Sequence, residues 1–136
     1  MDKKIRFGII GAGRIAQKFA KGVEFAEDAR LVAIASRSME KANGFGDLFG
    51  IEKRYDSYEE LAKDPEVDVI YISTPNSLHK EHTILCLQNK KAVICEKPFA
   101  SNKAEVEEMI RIAKENGVFL MEAMWTRYFP IVEKVR

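Results

Sequence analysis

The sequence predicts an α/β domain with a doubly wound parallel sheet of about six strands. Its apolar runs are short and continuous rather than alternating, which is typical of strands buried on both faces. Segments with helical periodicity lie between these runs, so the order is strand, helix, strand throughout. The predicted strands are residues 5–10, 31–36, 67–73, 92–95 and 118–121, with a weaker one at 53–55.

Apolar side chains at helical spacing predict the helices that connect these strands. They are Ile15, Phe19 and Val23 in the first helix, Leu78, Leu85 and Leu87 more loosely in a later one, and Val106, Met109, Ile110 and Ala113 in the last. Ser57 with Glu60 and Asn102 with Glu105 have N-cap spacing, and the Asn-Gly pair at 116–117 is a helix stop. The segment 42–50 is the poorest match, because two glycines there each cost about 1 kcal/mol relative to Ala. We still predict a helix over it.

Composition and charge are those of an ordinary globular protein. The 136 residues include 22 Lys+Arg and 21 Asp+Glu, which give a net charge of +1, and 46% are hydrophobic. The two signs are interspersed, so no nucleic-acid or membrane-surface partner is indicated. No apolar run has the length of a membrane span and no secretory leader is recognisable, which favours a cytoplasmic protein. Cys86 and Cys95 lack CxxC spacing and are interpreted as core thiols.

A glycine-rich loop follows the first predicted strand and leads directly into a helix. The loop reads Gly-Ala-Gly-Arg-Ile-Ala over residues 11–16, the G-x-G-x-x-A pattern of a Rossmann-type dinucleotide-binding fold. Gly11 permits the tight turn, Gly13 lets backbone N–H groups approach a pyrophosphate, and Ala16 allows close packing of helix on strand. The alternative is a tight turn that binds no ligand. The residues expected to contact a dinucleotide here are Gly11, Gly13, Arg14 and Ile15.

The end of the second strand indicates which dinucleotide is bound. A site that prefers NAD usually has Asp or Glu here to hold the ribose 2′-hydroxyl, whereas this chain has Ser36, Arg37 and Ser38. Arg37 can pair with a 2′-phosphate, and the hydroxyls of Ser36 and Ser38 can donate to the same group. Lys41, one helical turn further on, can reach the same phosphate. We therefore predict NADP as the cofactor, with NAD as the alternative. Arg37 as a solvated charge and Ser38 as a plain N-cap remain open.

Further polar residues follow the next strands at the edge where ligands bind in open parallel sheets. Ser73, Thr74, Pro75 and Asn76 suit contacts with ribose and pyrophosphate, although ordinary loop chemistry would also explain them. Lys97 directly follows a buried strand and precedes a proline, so its backbone is restricted and its ammonium is held at this edge. From that position it can donate to a substrate oxygen. The alternative is a solvated lysine.

Five motifs together resemble the glucose-fructose oxidoreductase, inositol dehydrogenase and rhizopine catabolism (Gfo/Idh/MocA) family. They are the glycine loop at 11–16, Ser-Arg-Ser at 36–38, Thr-Pro-Asn-Ser-Leu-His at 74–79, Glu-Lys-Pro at 96–98 and the run at 122–130, which resembles the dihydrodiol dehydrogenase branch. The resemblance implies an oxidoreductase that uses a pyridine nucleotide and acts on a sugar, polyol or diol. It further implies that Lys97 is the catalytic residue and contacts both the substrate and the nicotinamide ribose. Glu96, beside it in the same motif, is also expected in the cofactor site. His79, Trp125 and Arg127 are implied to lie near the cofactor.

The resemblance also sets the expected domain organisation. Residues 1–125 would form the NAD(P)-binding domain, and residues 126–136 would begin the connection to a C-terminal α/β domain that this chain lacks. The full-length form would be a homo-oligomer, and this chain alone would be inactive. A binding or redox-sensing module without turnover is the alternative. No metal site is predicted, because His79 and His82 have no third ligand at suitable spacing and are interpreted as surface or helix-start residues.

Overall fold

The computed structural model describes residues 4–123, which form one six-stranded parallel sheet flanked by helices. The strand order is β3-β2-β1-β4-β5-β6, with the order reversing between β1 and β4. This is the doubly wound arrangement that the sequence predicts. The strands are β1 (Ile5–Ile10), β2 (Ala29–Ala35), β3 (Lys53–Tyr55), β4 (Val69–Ile72), β5 (Ala92–Cys95) and β6 (Leu120–Glu122).

The described helices cover both faces of the sheet. They are α1 (Arg14–Glu24), α2 (Met39–Phe49), α3 (Tyr58–Ala62), α4 (His79–Gln88) and α5 (Lys103–Asn116), and a 3-10 turn (Asn76–Leu78) precedes α4. One apolar cluster contains buried side chains of α1 and α2, and the other contains those of α3, α4 and α5. Within residues 4–123, no helix combines the length and the apolar content needed to cross a bilayer.

Neighbouring residues along a central strand point into opposite clusters. In β4, Tyr71 belongs to the cluster on the α1 side, and Ile70 and Ile72 belong to the other. Phe19 of α1 stacks on the Tyr71 ring with 3.9 Å between centroids. Burial on both faces explains why the strands read as continuous apolar runs. Cys86 and Cys95 are buried free thiols in one of these clusters, and burial raises the pKa of Cys95 to about 12.

Three strands have bounds that differ from those predicted. Strand β2 begins at Ala29, which pairs with Ile5, although an exposed arginine interrupts its apolar pattern. Strand β4 is shorter at both ends than the predicted 67–73, since the Val67 N–H bonds to Asp64 O in the preceding turn. Strand β6 begins later than residue 118, because the Val118 N–H bonds to Ala113 O and so belongs to the C-cap of α5. The predicted domain boundary after residue 125 lies outside the described residues.

Helix α2 forms over the segment that matched helical periodicity least well. Its N-cap is Ser38, whose Oγ accepts from the Lys41 N–H at 3.3 Å. The two glycines differ in their surroundings, because nothing lies within 4 Å of a Cβ built on Gly44, whereas a Cβ on Gly46 would collide with the Arg54 guanidinium. Arg54 Nε donates to Ile51 O at 2.8 Å. Gly46 thus makes room for the side chain that joins α2 to β3.

We expect opposite effects from the same substitution at these two glycines. Gly44→Ala should raise the free energy of unfolding by about 0.5–1 kcal/mol, because it lowers the entropy of the unfolded chain without a clash. Gly46→Ala should lower it by about 1–3 kcal/mol, because Arg54 must leave its hydrogen bond to Ile51 O. Urea unfolding of both variants measures the difference. Equal effects would show that Gly46 has no packing role.

Candidate functional site

A crevice of about 410 Å³ lies at the carboxyl ends of the strands, where the strand order reverses. Three segments and one further side chain line it: residues 11–13 after β1, residues 36–38 with Lys41 after β2, residues 73–75 after β4, and Tyr58 at the start of α3. Ligands of open parallel sheets bind at this position. The sequence predicts all three segments as parts of a binding site, whereas Tyr58 was not predicted.

Gly11 allows the turn after β1 to pack against the end of β4. Its φ is +105°, a conformation that L side chains rarely adopt. A Cβ here would lie 2.9 Å from Ser73 Oγ and 3.1 Å from the Thr74 nitrogen. Ser73 Oγ donates to Gly11 O at 3.1 Å. Both the conformation and the contact therefore require glycine.

Gly13 leaves the start of α1 open toward the crevice. It is the N-cap of α1, no side chain caps the helix, and the first turn contains no acidic residue. Nothing lies within 4 Å of a Cβ built on Gly13, so no contact with the described residues requires glycine there. The N–H groups and the positive end of the helix dipole are available to an anion. This geometry fits a pyrophosphate, while Arg14 is exposed and Ile15 is half-buried beside it.

The loop after β2 combines fixed hydroxyls with unpaired cations. Ser36 Oγ accepts from the Ser38 N–H at 3.4 Å, and Ser38 caps α2. Ser38 is therefore the N-cap of α2, as the sequence allowed. Arg37 and Lys41 are exposed, and neither forms a salt bridge with any of residues 4–123. Two cations at the wall of a crevice, without a carboxylate partner there, favour a dianionic ligand group.

The segment after β4 is held from beneath by two histidines. Thr74 Oγ1 lies 2.8 Å from His82 Nδ1, and Thr74 O lies 2.7 Å from His79 Nε2. Burial lowers the pKa of His82, which favours the neutral ring. Ser73, Thr74 and Pro75 line the crevice, whereas Asn76 is exposed at the start of the 3-10 turn.

His79 and His82 are both buried, so their interpretation as surface residues was wrong. The prediction of a helix-start residue is correct for His79, which is the first residue of α4. His79 Nδ1 also lies 2.7 Å from Pro98 O. Both ring nitrogens of His79 therefore contact backbone carbonyl oxygens, one in each of two loops. His79 thus joins the segment after β4 to the loop after β5 and does not line the crevice. Three-residue spacing alone could not distinguish burial from exposure.

The loop after β5 is held at several points around Lys97. Glu96 is buried and accepts a hydrogen bond from the Tyr71 hydroxyl. The Lys97–Pro98 peptide is cis, and beyond it the Phe99 N–H donates to Glu122 Oε2 at 3.0 Å. Lys97 is exposed, and none of the described residues forms a salt bridge with it. A backbone held by these hydrogen bonds thus presents an exposed ammonium one strand beyond the crevice.

The predicted site residues fall into three groups. The residues that line the crevice are Gly11, Gly13, Ser36, Arg37, Lys41, Ser73, Thr74 and Pro75. Arg14, Ile15 and Asn76 directly follow lining segments in the chain, and His79 contacts Thr74. Glu96 and Lys97 follow β5, the neighbour of β4 in the sheet. Trp125 and Arg127 lie outside the described residues. Ser57 signals only that a helix begins near Tyr58, so no local pattern could have indicated that Tyr58 reaches the crevice.

Comparisons with known proteins agree with this geometry. The chain is 47% identical over 133 residues to the trans-1,2-dihydrobenzene-1,2-diol dehydrogenase of Xenopus laevis, which covers 96% of this chain and 40% of the relative. The human enzyme of that name is 45% identical over 134 residues, with 97% and 40% covered. The chain thus spans about 40% of the length of these curated relatives.

Solved structures of oxidoreductases also match this chain. A 3-ketoreductase from Actinomadura kijaniata in complex with TDP-benzene and NADP superposes with a TM-score of 0.88 at 30% identity, over 98% of this chain and 42% of that one. A probable dehydrogenase from Thermotoga maritima gives a TM-score of 0.85 at 35% identity, with 90% and 37% covered. Residues 5–124 match the family described as oxidoreductase family, NAD-binding Rossmann fold. This chain therefore belongs to the Gfo/Idh/MocA oxidoreductase family and comprises its NAD-binding domain.

Proposed function

We propose that this chain binds NADP and serves as the cofactor domain of an oxidoreductase that acts on a sugar, polyol or dihydrodiol. The observation that carries the choice of NADP is the loop after β2, where Arg37 and Lys41 face the crevice and positions 36–38 contain no carboxylate. Cations pair with a 2′-phosphate, whereas NAD-specific sites use an acidic residue for the 2′-hydroxyl. The A. kijaniata 3-ketoreductase was solved with NADP, which supports the proposal.

Each segment has a role in this proposal. The pyrophosphate lies at the start of α1, where Gly11 and Gly13 keep the approach clear and Arg14 and Ile15 flank it. Ser36, Arg37 and Lys41 hold the 2′-phosphorylated ribose. The remaining proposed contacts are Ser73, Thr74, Pro75 and Asn76, with His79 and Glu96 as supports of the rim, and Trp125 and Arg127 near the nicotinamide.

Lys97 is the proposed catalytic residue. When bound, the nicotinamide supplies or accepts a hydride, which no protein side chain can do. The Lys97 ammonium donates a hydrogen bond to the reacting oxygen of the substrate and so stabilises the charge that develops there. Glu96 and Pro98, held by Tyr71 and His79, keep the backbone on both sides of Lys97 in place.

The relatives named dihydrodiol dehydrogenases support a diol as the substrate of the whole protein. A homo-oligomeric full-length form and a cytoplasmic location complete the proposal. Sedimentation of the protein at its full natural length, together with an assay of a panel of diols and aldoses, tests the assembly and the substrate class.

Calorimetric titration of the chain with NADPH and NADH tests the choice of cofactor. We expect NADPH to bind more tightly than NADH. Arg37→Asp should raise the Kd for NADPH by roughly 10-fold to 100-fold, because a charge-assisted pair is replaced by a repulsion. Arg30→Asp makes the same charge change at the other end of β2 and should leave the preference unchanged. Equal affinities of the wild-type chain for the two nucleotides would contradict the proposal.

A further inference from the structure

Tyr58 occupies a place in the crevice that the glycine loop and the cationic loop do not explain. Ser57 starts α3, its Oγ accepting from the Glu60 N–H at 3.2 Å, and this makes Tyr58 the first helical residue. The side chain is half-buried and lines the crevice together with the loop after β2 and the segment after β4. It therefore adjoins the end of the crevice where Arg37 and Lys41 lie.

The ring of Tyr58 is backed by a fixed group. Its centroid lies 4.6 Å from that of the buried His82 imidazole, at an interplanar angle of 59°. His82 is itself held by Thr74, 2.8 Å from Nδ1 to Oγ1. An aromatic ring supported in this way presents an apolar surface to the crevice at little entropic cost.

Tyr58 and Arg37 line the same crevice. Burial raises the pKa of Tyr58, and the Arg37 charge and backbone N–H both oppose that rise. The Ser36 N–H donates to Tyr55 O at 3.1 Å, and both Tyr58 and Arg37 line the crevice, so the start of α3 lies beside the loop after β2. Tyr58 thus spans from the segment after β4 to the loop that carries the unpaired cations.

We propose that Tyr58 is a specificity-determining residue of this site: its ring packs against the adenine, and its hydroxyl holds the Arg37 loop where it meets the 2′-phosphate. The inference rests on the proposed function, because it assigns a residue to the adenosine end of the same NADP site. Bases pack on aromatic rings whatever the nucleotide, so the ring contributes to the affinity for every adenosine nucleotide. The hydroxyl acts through Arg37 and contributes only where a 2′-phosphate is present.

Calorimetric titrations with 2′,5′-ADP and 5′-AMP separate these contributions, because the two probes differ at the 2′-phosphate and lack the nicotinamide. Tyr58→Phe should raise the Kd for 2′,5′-ADP by roughly 3-fold to 10-fold, as expected for the loss of one hydrogen bond. The Kd for 5′-AMP should change by less than about 2-fold. Tyr58→Ala should raise the Kd for both probes by about 10-fold or more, because it removes the ring. Tyr55→Phe is the matched control, since it removes a hydroxyl that bonds to Asp64 and lies outside the crevice.

The outcomes distinguish this inference from the function on which it rests. A Tyr58→Phe chain that melts like the wild type and loses preference for 2′,5′-ADP supports the role of the hydroxyl. If the wild type prefers NADPH and Tyr58→Phe keeps the full preference for 2′,5′-ADP, the assignment of Tyr58 is overturned while the proposed function stands. A folded wild-type chain that binds neither NADPH nor 2′,5′-ADP overturns both.

Discussion

Gly13→Val is expected to raise the Kd for NADPH at least about 100-fold while the chain remains folded. The added side chain meets no protein atom near its Cβ, because nothing lies within 4 Å of that position. It instead fills the space above the start of α1 where the pyrophosphate must come close to backbone N–H groups. Stability should fall by less than about 1 kcal/mol, the usual range for changes at an N-cap glycine.

Two further glycine variants make that result interpretable. Gly44→Ala adds a methyl group in equally open space on α2, outside the crevice, and should leave the Kd unchanged. Gly11→Ala should unfold the chain at lower temperature, because residue 11 has a φ of +105° and touches Ser73. Titration and thermal denaturation of all three variants give the comparison. Tight NADPH binding by Gly13→Val would show that the pyrophosphate does not lie at this helix.

Lys97→Met is expected to lower kcat by about 100-fold to 10,000-fold in the protein at its full natural length, the range for removal of a group that donates to the reacting oxygen. Methionine keeps most of the length of the side chain but removes the charge. The Kd for NADPH should change by less than about 3-fold, since Lys97 follows β5 and does not line the crevice. Steady-state kinetics with the best diol or aldose substrate, combined with titration, measures both quantities.

Lys114→Met is the control for this variant, because it removes an exposed lysine in the last turn of α5. Its kcat and Kd should match those of the wild type. A Lys97→Met enzyme with a raised KM and an unchanged kcat would contradict the catalytic role, since that pattern indicates binding that is equal in the ground state and the transition state.

The parts of the site that lie within one loop were predictable from sequence. The strand, glycine loop and helix at residues 5–24 depend on local spacing, and so does the absence of a carboxylate at 36–38. The doubly wound parallel sheet followed from the alternation of strands and helices together with the glycine loop after the first strand. The starts of β2, β4 and β6 differ from the prediction where an exposed arginine, a turn or a helix cap interrupts the apolar run.

The supports of the site were not predictable, because they depend on contacts between distant segments. His79 is distinguished from a surface histidine only by Pro98 O and Thr74 O, which reach it from two different loops. Tyr58 reaches the crevice because α3 packs beside α4, where His82 meets its ring. Gly46 looked unfavourable because glycine has a low helix propensity. The chain position of Arg54 gives no hint that its side chain packs against this glycine.

Phosphorus NMR of NADP⁺ bound to the chain tests most directly whether the loop after β2 holds a 2′-phosphate. The second ionisation of a phosphate monoester lies near pH 6, and neighbouring cations favour the dianion. We expect the titration midpoint of the 2′-phosphate resonance to fall by about one pH unit on binding, and to return toward its free value with Arg37→Asp. A bound NADP⁺ whose pyrophosphate resonances shift while its 2′-phosphate titrates as in free solution would contradict the account.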